Sequence, residues 1–373
     1  MSIRNFTIFP AILLLLLLLL LFISVQSASA QDISIVNVYS DVDSADFTIH
    51  ADKHYENIIV RSDLIFDSKI ISSKQFNIDK ISPDTDITKV VFWGIKPEAG
   101  YYHTEIAISL NSMDDGAVET KYSNFSYGRQ AIPKIFIKDI VPDSMGISII
   151  LSPKVSTLGV EPVLADVEYM LVDGDTVVYQ TKNNRINVIQ ATPLSKNWNI
   201  RLENDHEYLT RVKVKIASPI DVVIARSKEF TAKDDAKITE LYRDETGASV
   251  TVLGQSQVPF TGSIVFTVVK DGNIIGEISE KSPILMSGDD DTIEVTWGSR
   301  LATGIYGLTV KVVGNDNDVL DRWDTIIEVE HHIFADETPA PIPAKESPGL
   351  SIYSTAFLII LVYLSGWADR RHW

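Results

Sequence analysis

The sequence contains no cysteine among its 373 residues. Disulfide bridges are therefore impossible, and any folded domain must be held together by packing, hydrogen bonds or bound ions. The absence also excludes a thiol nucleophile, zinc sites with cysteine ligands and lipid attachment through an N-terminal cysteine. The fold must therefore be sought in the pattern of apolar residues.

Positive charge is also scarce, because 33 lysine and arginine residues stand against 50 acidic residues, a formal net charge of −17. A nucleic-acid-binding protein would be expected to have a basic patch, so the charge balance argues against nucleic acid as a partner. An excess of acid suits a solvated outer surface, cation-rich surroundings or repulsion between neighbouring molecules.

Motifs of familiar catalytic chemistry are missing as well. The chain has no Gly-x-Ser-x-Gly elbow, no His-Glu-x-x-His zinc motif and no glycine-rich phosphate loop. The histidines before the C-terminal tail do not form a catalytic pattern; they are His50, His54, His103, His206, His331 and His332. The sequence therefore predicts a protein that is not an enzyme and that uses no cofactor.

What the sequence does contain is a pair of aromatic residues that occurs three times. The pairs are Trp93 with Tyr102, Trp198 with Tyr208, and Trp297 with Tyr306. The spacing is the same in the first and third pairs and slightly longer in the second. Each tyrosine begins an alternating apolar run, which predicts a strand entered through a corner where the hydroxyl bonds back to the backbone.

Two strands and a hairpin precede each aromatic pair. Residues 35–41 match residues 238–244 without a gap, and residues 137–143 fit the same frame. Each stretch predicts an apolar strand and a turn with an aspartate, followed by a second strand. The predicted two-residue hairpin turns are Asp67-Ser68, Asp173-Gly174 and Asp271-Gly272. About seven strands are expected in each unit.

These units predict an all-β chain of three tandem immunoglobulin-like β-sandwich domains, over residues 31–130, 131–233 and 234–332. A single globule with one shared core is disfavoured because every repeat has a complete set of apolar strands. The short linkers predict a semi-rigid rod. The three tryptophans are expected to be structural, and truncating one to alanine is expected to cost about 3–5 kcal/mol.

The N-terminal segment has the three parts of a secretory signal. Arg4 precedes an unbroken leucine run, and small residues suited to a signal peptidase follow at Ala28 and Ala30. We therefore predict a cleaved signal peptide over residues 1–30, with an uncleaved anchor as the alternative.

The C-terminal end predicts an anchor in the membrane. A proline-rich linker over residues 333–349 precedes an apolar stretch, residues 350–367, which is long enough for a transmembrane helix. Residues 368–373 form a basic tail with Arg370 and Arg371, which places the tail in the cytoplasm and the body outside the cell.

A tripeptide at the end of this linker bears on how the chain is anchored. Pro348-Gly349-Leu350, with the apolar helix and the arginine tail, resembles the C-terminal sorting segments of archaeal exported cell-surface proteins. Those segments begin with Pro-Gly-Phe, so Leu350 departs from their pattern. The resemblance implies recognition by a membrane-embedded transpeptidase-like enzyme, which would replace the helix with a lipid anchor. A retained helix and a lipid anchor both remain open.

Acidic loops and one sequon are the remaining candidate sites. Carboxylates clustered in loops can bind Ca²⁺ through hard oxygen ligands, although Asp is also a common turn residue. The candidate ligands are Asp289, Asp290, Asp291, Asp316 and Asp318. Asn124 begins an Asn-Phe-Ser sequon, which predicts a glycosylation site.

Taken together, the sequence predicts a membrane-anchored extracellular protein with a structural or adhesive function. The predicted partners are the membrane and other cell-surface proteins or glycans. The alternative function is a ligand-binding accessory or sensory subunit of a membrane complex. The expected location is the cell membrane, with a single span and the body outside, or the cell surface after lipid attachment.

Overall fold

The described part of the chain consists of β-strands joined by turns and loops. The computed structural model describes residues 32–110, 116–128, 133–154, 162–216 and 222–330. Within these ranges there is no helix, and none that could cross a membrane. The predicted signal peptide, proline-rich linker, transmembrane helix and tail all lie outside the described residues.

Domain one is a sandwich of two antiparallel sheets. Its strands are β1 (Ile33–Ser40), β2 (Ser44–Ala51), β3 (Tyr55–Phe66), β4 (Lys69–Ile81), β5 (Thr85–Phe92), β6 (Gly100–Leu110) and β7 (Glu119–Tyr127). One sheet has the order β1-β2-β5, and the facing sheet has the order β4-β3-β6-β7. Alternate residues of β2, such as Phe47 and Ile49, are fully buried between the sheets.

Domain two repeats this arrangement. Its strands are β8 (Ile135–Pro142), β9 (Gly146–Pro153), β10 (Val163–Asp173), β11 (Thr176–Val188), β12 (Thr192–Asn197), β13 (Glu207–Ile216) and β14 (Val222–Thr231). The sheet β12-β9-β8 faces the strands β11-β10-β13-β14. Tyr169, Leu171 and Val212 are among the fully buried side chains of its core.

Domain three has the same order again. Its strands are β15 (Ala236–Arg243), β16 (Gly247–Gly254), β17 (Ser263–Lys270), β18 (Asn273–Lys281), β19 (Asp290–Thr296), β20 (Gly304–Val313) and β21 (Val319–Val329). The sheet β15-β16-β19 faces the sheet β18-β17-β20-β21. Each domain encloses its own apolar core, so the described residues form three tandem β-sandwiches of immunoglobulin-like arrangement.

Each repeated tryptophan is tied to the aspartate turn between the first two strands. The indole Nε1 donates to the carbonyl oxygen of Asp41, Asp143 or Asp244; the bonds are Trp93 to Asp41 at 3.1 Å, Trp198 to Asp143 at 3.0 Å, and Trp297 to Asp244 at 3.0 Å. The Oδ1 of each aspartate also accepts two backbone N–H bonds within its own turn. The turn and the tryptophan therefore form one hydrogen-bonded unit.

Each repeated tyrosine bonds back to the backbone just before its strand. The hydroxyl of Tyr102 donates to the carbonyl oxygen of Glu98 at 2.7 Å, and that of Tyr306 donates to Ala302 at 2.8 Å. In domain two, the Tyr208 hydroxyl accepts a bond from the N–H of Glu203 at 3.2 Å. The three tyrosines are 3–5% exposed, so these bonds satisfy polar groups at the edge of each core.

The hairpin turns agree with the predicted positions in two domains and differ in the third. Asp67 and Ser68, like Asp271 and Gly272, have positive φ values, as a tight two-residue turn requires. In domain two the predicted turn was wrong by one residue, because Asp173 pairs with Thr176 and the turn is formed by Gly174 and the following aspartate. The core position of Leu171 sets this register, and Gly174 supplies the positive φ of 59°.

Candidate functional site

The predicted Ca²⁺ ligands lie in separate places. Asp290 and Asp291 belong to strand β19, and the Oδ2 of Asp289 accepts a turn bond from the Met286 N–H at 3.0 Å. Asp316 and Asp318 lie in the β20–β21 hairpin. In the part of the chain that the structure covers, these five residues do not meet as three ligand atoms within 4.8 Å of one another.

The pair in the β20–β21 hairpin is engaged by other groups. A hydrogen bond from Asp318, assisted by Lys233, lowers the pKa of Asp316 to about 2. The same shared bond raises the pKa of Asp318. Lys233 donates to the Oδ2 of Asp316 at 2.9 Å from the segment between domains two and three. The hairpin carboxylates therefore contribute to the junction between domains two and three.

A group that sequence reasoning missed lies at one end of domain one. His50, Asp52 and Asp84 each offer a ligand atom within 4.8 Å of the other two. The Nδ1 of His50 lies 2.7 Å from Asp86, and its Nε2 lies 3.0 Å from Asp52. Both ring nitrogens thus face carboxylates, an arrangement that favours the protonated imidazolium.

This arrangement predicts a pH-dependent contribution to stability. Hydrogen bonds to Asp86 and then to Asp52 raise the pKa of His50 above its usual value of 6.5. The stabilisation is fully present below the unfolded pKa and is lost as the pH rises through the folded pKa. Asp86→Asn should therefore lower the pKa of His50, as measured by NMR titration of the imidazole signals. Asp67→Asn, at the opposite end of the domain, is the control and should leave the curve unchanged.

Domains one and two meet through a buried ion pair. Arg211 on β13 is 1% exposed, and Asp46 on β2 is 3% exposed. The Nε of Arg211 donates to Asp46 Oδ2 at 3.0 Å, and its Nη1 donates to Ser44 Oγ at 2.8 Å. Lys213 donates to the other oxygen of Asp46 at 2.6 Å. The outer face of one sheet in domain one therefore covers the outer face of a sheet in domain two.

Apolar and backbone contacts extend this interface. Val90 of β5 packs with Met170 and Val172 of β10 in a small buried cluster separate from the three cores. Thr176 pairs with Lys89, which connects β11 to β5 and joins the two domains in one seven-stranded sheet. Lys89 also donates to Asp175 at 2.6 Å. The interface is thus closed by packing, sheet pairing and charge together.

Domains two and three are joined end to end by a different set of contacts. Val258, in the loop between β16 and β17 of domain three, is 1% exposed and belongs to the core of domain two. The backbone of the neighbouring Gln257 accepts from Leu202 N–H at 2.9 Å and donates to Ser144 at 3.0 Å. One loop of domain three therefore closes the base of the domain-two core.

The predicted glycosylation residue, Asn124, lies on β7 and is exposed. Its neighbour Phe125 stacks on Tyr102 with 5.3 Å between the ring centres. The asparagine is thus accessible on an edge strand of domain one, and its modification remains a prediction.

No protein-family model matches the chain, and no curated protein matches it significantly. One similar solved structure is a tetra-tandem repeat from the extending region of a large adhesion protein, 10% identical over 80% of this chain and 74% of that chain, with a TM-score of 0.25. The chicken interferon gamma receptor alpha chain is 14% identical over 54% of this chain and 100% of that chain, with a TM-score of 0.34.

The FN1–FN3 domains of chicken CNTN1 are a third similar structure, 12% identical over 80% of this chain and 97% of that chain, with a TM-score of 0.23. At such identities and TM-scores the three likenesses support no conclusion about function.

Proposed function

We propose that the chain is a membrane-anchored extracellular protein that is not an enzyme and that presents three immunoglobulin-like domains as a rigid unit at the cell surface. Its function would be structural or adhesive. The sequence supports export through the leucine-rich segment after Arg4, and anchoring through the apolar stretch followed by Arg370 and Arg371. The proline-rich linker would hold the domains away from the membrane.

The observation that carries this proposal is the closure of both domain junctions. Interfaces between domains of one chain usually permit relative motion unless they are well packed. Here Arg211 and Asp46 are buried between domains one and two, and Val258 fills the core of domain two from domain three. A protein built to hold a surface at a fixed distance and orientation requires such junctions.

We expect the domains to face the exterior of intact cells. A membrane-impermeant amine reagent should label Lys53 and Lys237 without lysis, since both lysines are exposed and lie in the domains that we propose to be extracellular. Mass spectrometry of the labelled peptides is the measurement, and a cytoplasmic protein provides the control. Labelling that requires lysis would contradict the proposed orientation.

Recovery of a peptide with Arg370 would show that the helix is retained, and a lipid-modified C-terminus would show that it is replaced.

A further inference from the structure

Domain three contains an open cleft beside its repeated tryptophan. The cleft has a volume of about 570 Å³, and its lining includes Val268, Gly276, Ile278, Trp297 and Tyr306. Trp93 and Trp198 are 3% and 0% exposed, whereas Trp297 is only partly buried. The cleft therefore exposes a side chain that is closed off in the other two domains.

The strand register shows what is missing in domain three. In domain two, Tyr179 of β11 pairs with Leu171, and its ring lies edge-on to Trp198 with 6.0 Å between the ring centres. The corresponding core position in domain three is Val268, which pairs with Gly276. Domain three therefore has glycine where domain two places an aromatic ring against the tryptophan.

The same correspondence holds in domain one. There Leu64 pairs with Ser72, whose hydroxyl donates to the carbonyl oxygen of Trp93 at 3.2 Å. All three hairpins shift register at the next residue, after Leu64, Leu171 and Val268. The three positions are thus equivalent in the fold, and in domain three the residue there has no side chain.

The chemistry of the cleft suits an uncharged ring. Its walls are the indole of Trp297 and apolar side chains, and its two charged lining residues have other partners. Arg300 donates to Glu245 at 2.6 Å, and Glu277 accepts a bond from Thr267 at 3.4 Å on the neighbouring strand. Ligand sites of 300–1,000 Å³ with apolar walls and few polar groups are typical of small molecules.

We propose that this cleft is a binding site for a small ligand with an uncharged aromatic ring. The ring would contact Trp297 edge-on, in the position that Tyr179 has against Trp198 in domain two. Such edge-to-face contacts are favourable beyond the apolar area they bury. Binding at this cleft does not depend on whether the C-terminal helix is retained or replaced by a lipid.

The direct test is a titration of the full chain, labelled with 5-fluorotryptophan, with p-cresol. The ¹⁹F signal of Trp297, assigned from a Trp297→Phe variant, should show a saturable shift, and the signals of Trp93 and Trp198 should stay in place. N-acetyl-tyrosine N-methylamide tests whether the same ring is accepted as part of a peptide. Cyclohexanol is the non-aromatic control and should bind more weakly.

Two variants exchange the residues that differ between the domains. In Gly276→Tyr the saturable shift should be lost; a Cβ at this position meets no atom within 4 Å, so the domain should fold. Tyr179→Gly, which introduces the residue of domain three, should make the Trp198 signal respond to p-cresol. Equal binding of cyclohexanol or an unchanged response in Gly276→Tyr would each overturn the proposal. If either variant fails to fold, the comparison of p-cresol with cyclohexanol on the wild-type chain still tests the proposal.

Discussion

Replacing Asp46 with alanine is expected to cost about 3–5 kcal/mol and to separate domain one from domain two. The substitution leaves Arg211 buried at 1% exposure without its carboxylate partner. Its Nη2 already has no hydrogen-bond partner among the described side chains, so little can replace the lost bond. Stacking on Tyr39, whose ring centre lies 5.8 Å from the guanidinium, is too weak to compensate.

The measurement is chemical denaturation followed by a probe in each domain, together with small-angle scattering of the folded variant. Asp32→Ala is the control, because Asp32 pairs with Lys53 in domain one and both side chains are exposed, at 39% and 67%. Exposed ion pairs contribute about 1 kcal/mol or less. If Asp46→Ala costs no more than Asp32→Ala, the buried pair is not what holds the interface.

A second variant distinguishes the effect of the buried charges on the interface from the effect of packing. The double substitution Asp46→Leu with Arg211→Met removes both charges together and keeps apolar volume. Such replacements of buried ion pairs are often neutral or stabilising. We expect the double variant to remain closed by scattering, and an open double variant would show that the pair itself determines the alignment of the domains.

This interface could not be predicted from the sequence for a physical reason. Arg211 lies on the alternating strand β13, where Val212 and Val214 face the core and the opposite positions usually face water. Charged residues at such positions look like an ordinary solvated face. The arginine becomes structural only because a sheet of domain one packs on that face. Its partner in that sheet, Asp46, lies 165 positions earlier in the chain.

The repeat within each domain was predictable because local rules determine it. Alternation located the strands, and the tyrosines at 102, 208 and 306 bond back to the backbone at their corners. The turn in domain two begins one residue later than Asp173-Gly174 predicts, because Asp-Gly is a strong local signal and only the pairing of β10 with β11 reveals the register. The cleft beside Trp297 escaped the sequence reading for the same reason: Gly276 lies on a cross-strand position that becomes evident only after pairing.

From the sequence, the same loss of stability is expected when any of the three tryptophans is truncated. The structure predicts different losses. Trp198→Ala is expected to destabilise domain two by about 3–5 kcal/mol, because a fully buried indole leaves a cavity and Asp143 loses its bond. Trp297→Ala should cost clearly less, since part of that indole already faces the open cleft. Differential scanning calorimetry of the full chain can compare the two variants.

The decisive result is which of these two variants loses more stability. Both tryptophans donate the same bond, at 3.0 Å, to an equivalent aspartate, so the hydrogen-bond loss is matched and the difference reports burial. A domain of this size is stable by only about 5–15 kcal/mol, so Trp198→Ala can unfold domain two outright. Because Val258 of domain three completes the domain-two core, that loss should also lower the stability of domain three. Equal costs for the two substitutions would mean that Trp297 is as enclosed in solution as Trp198, and that the cleft beside it is closed.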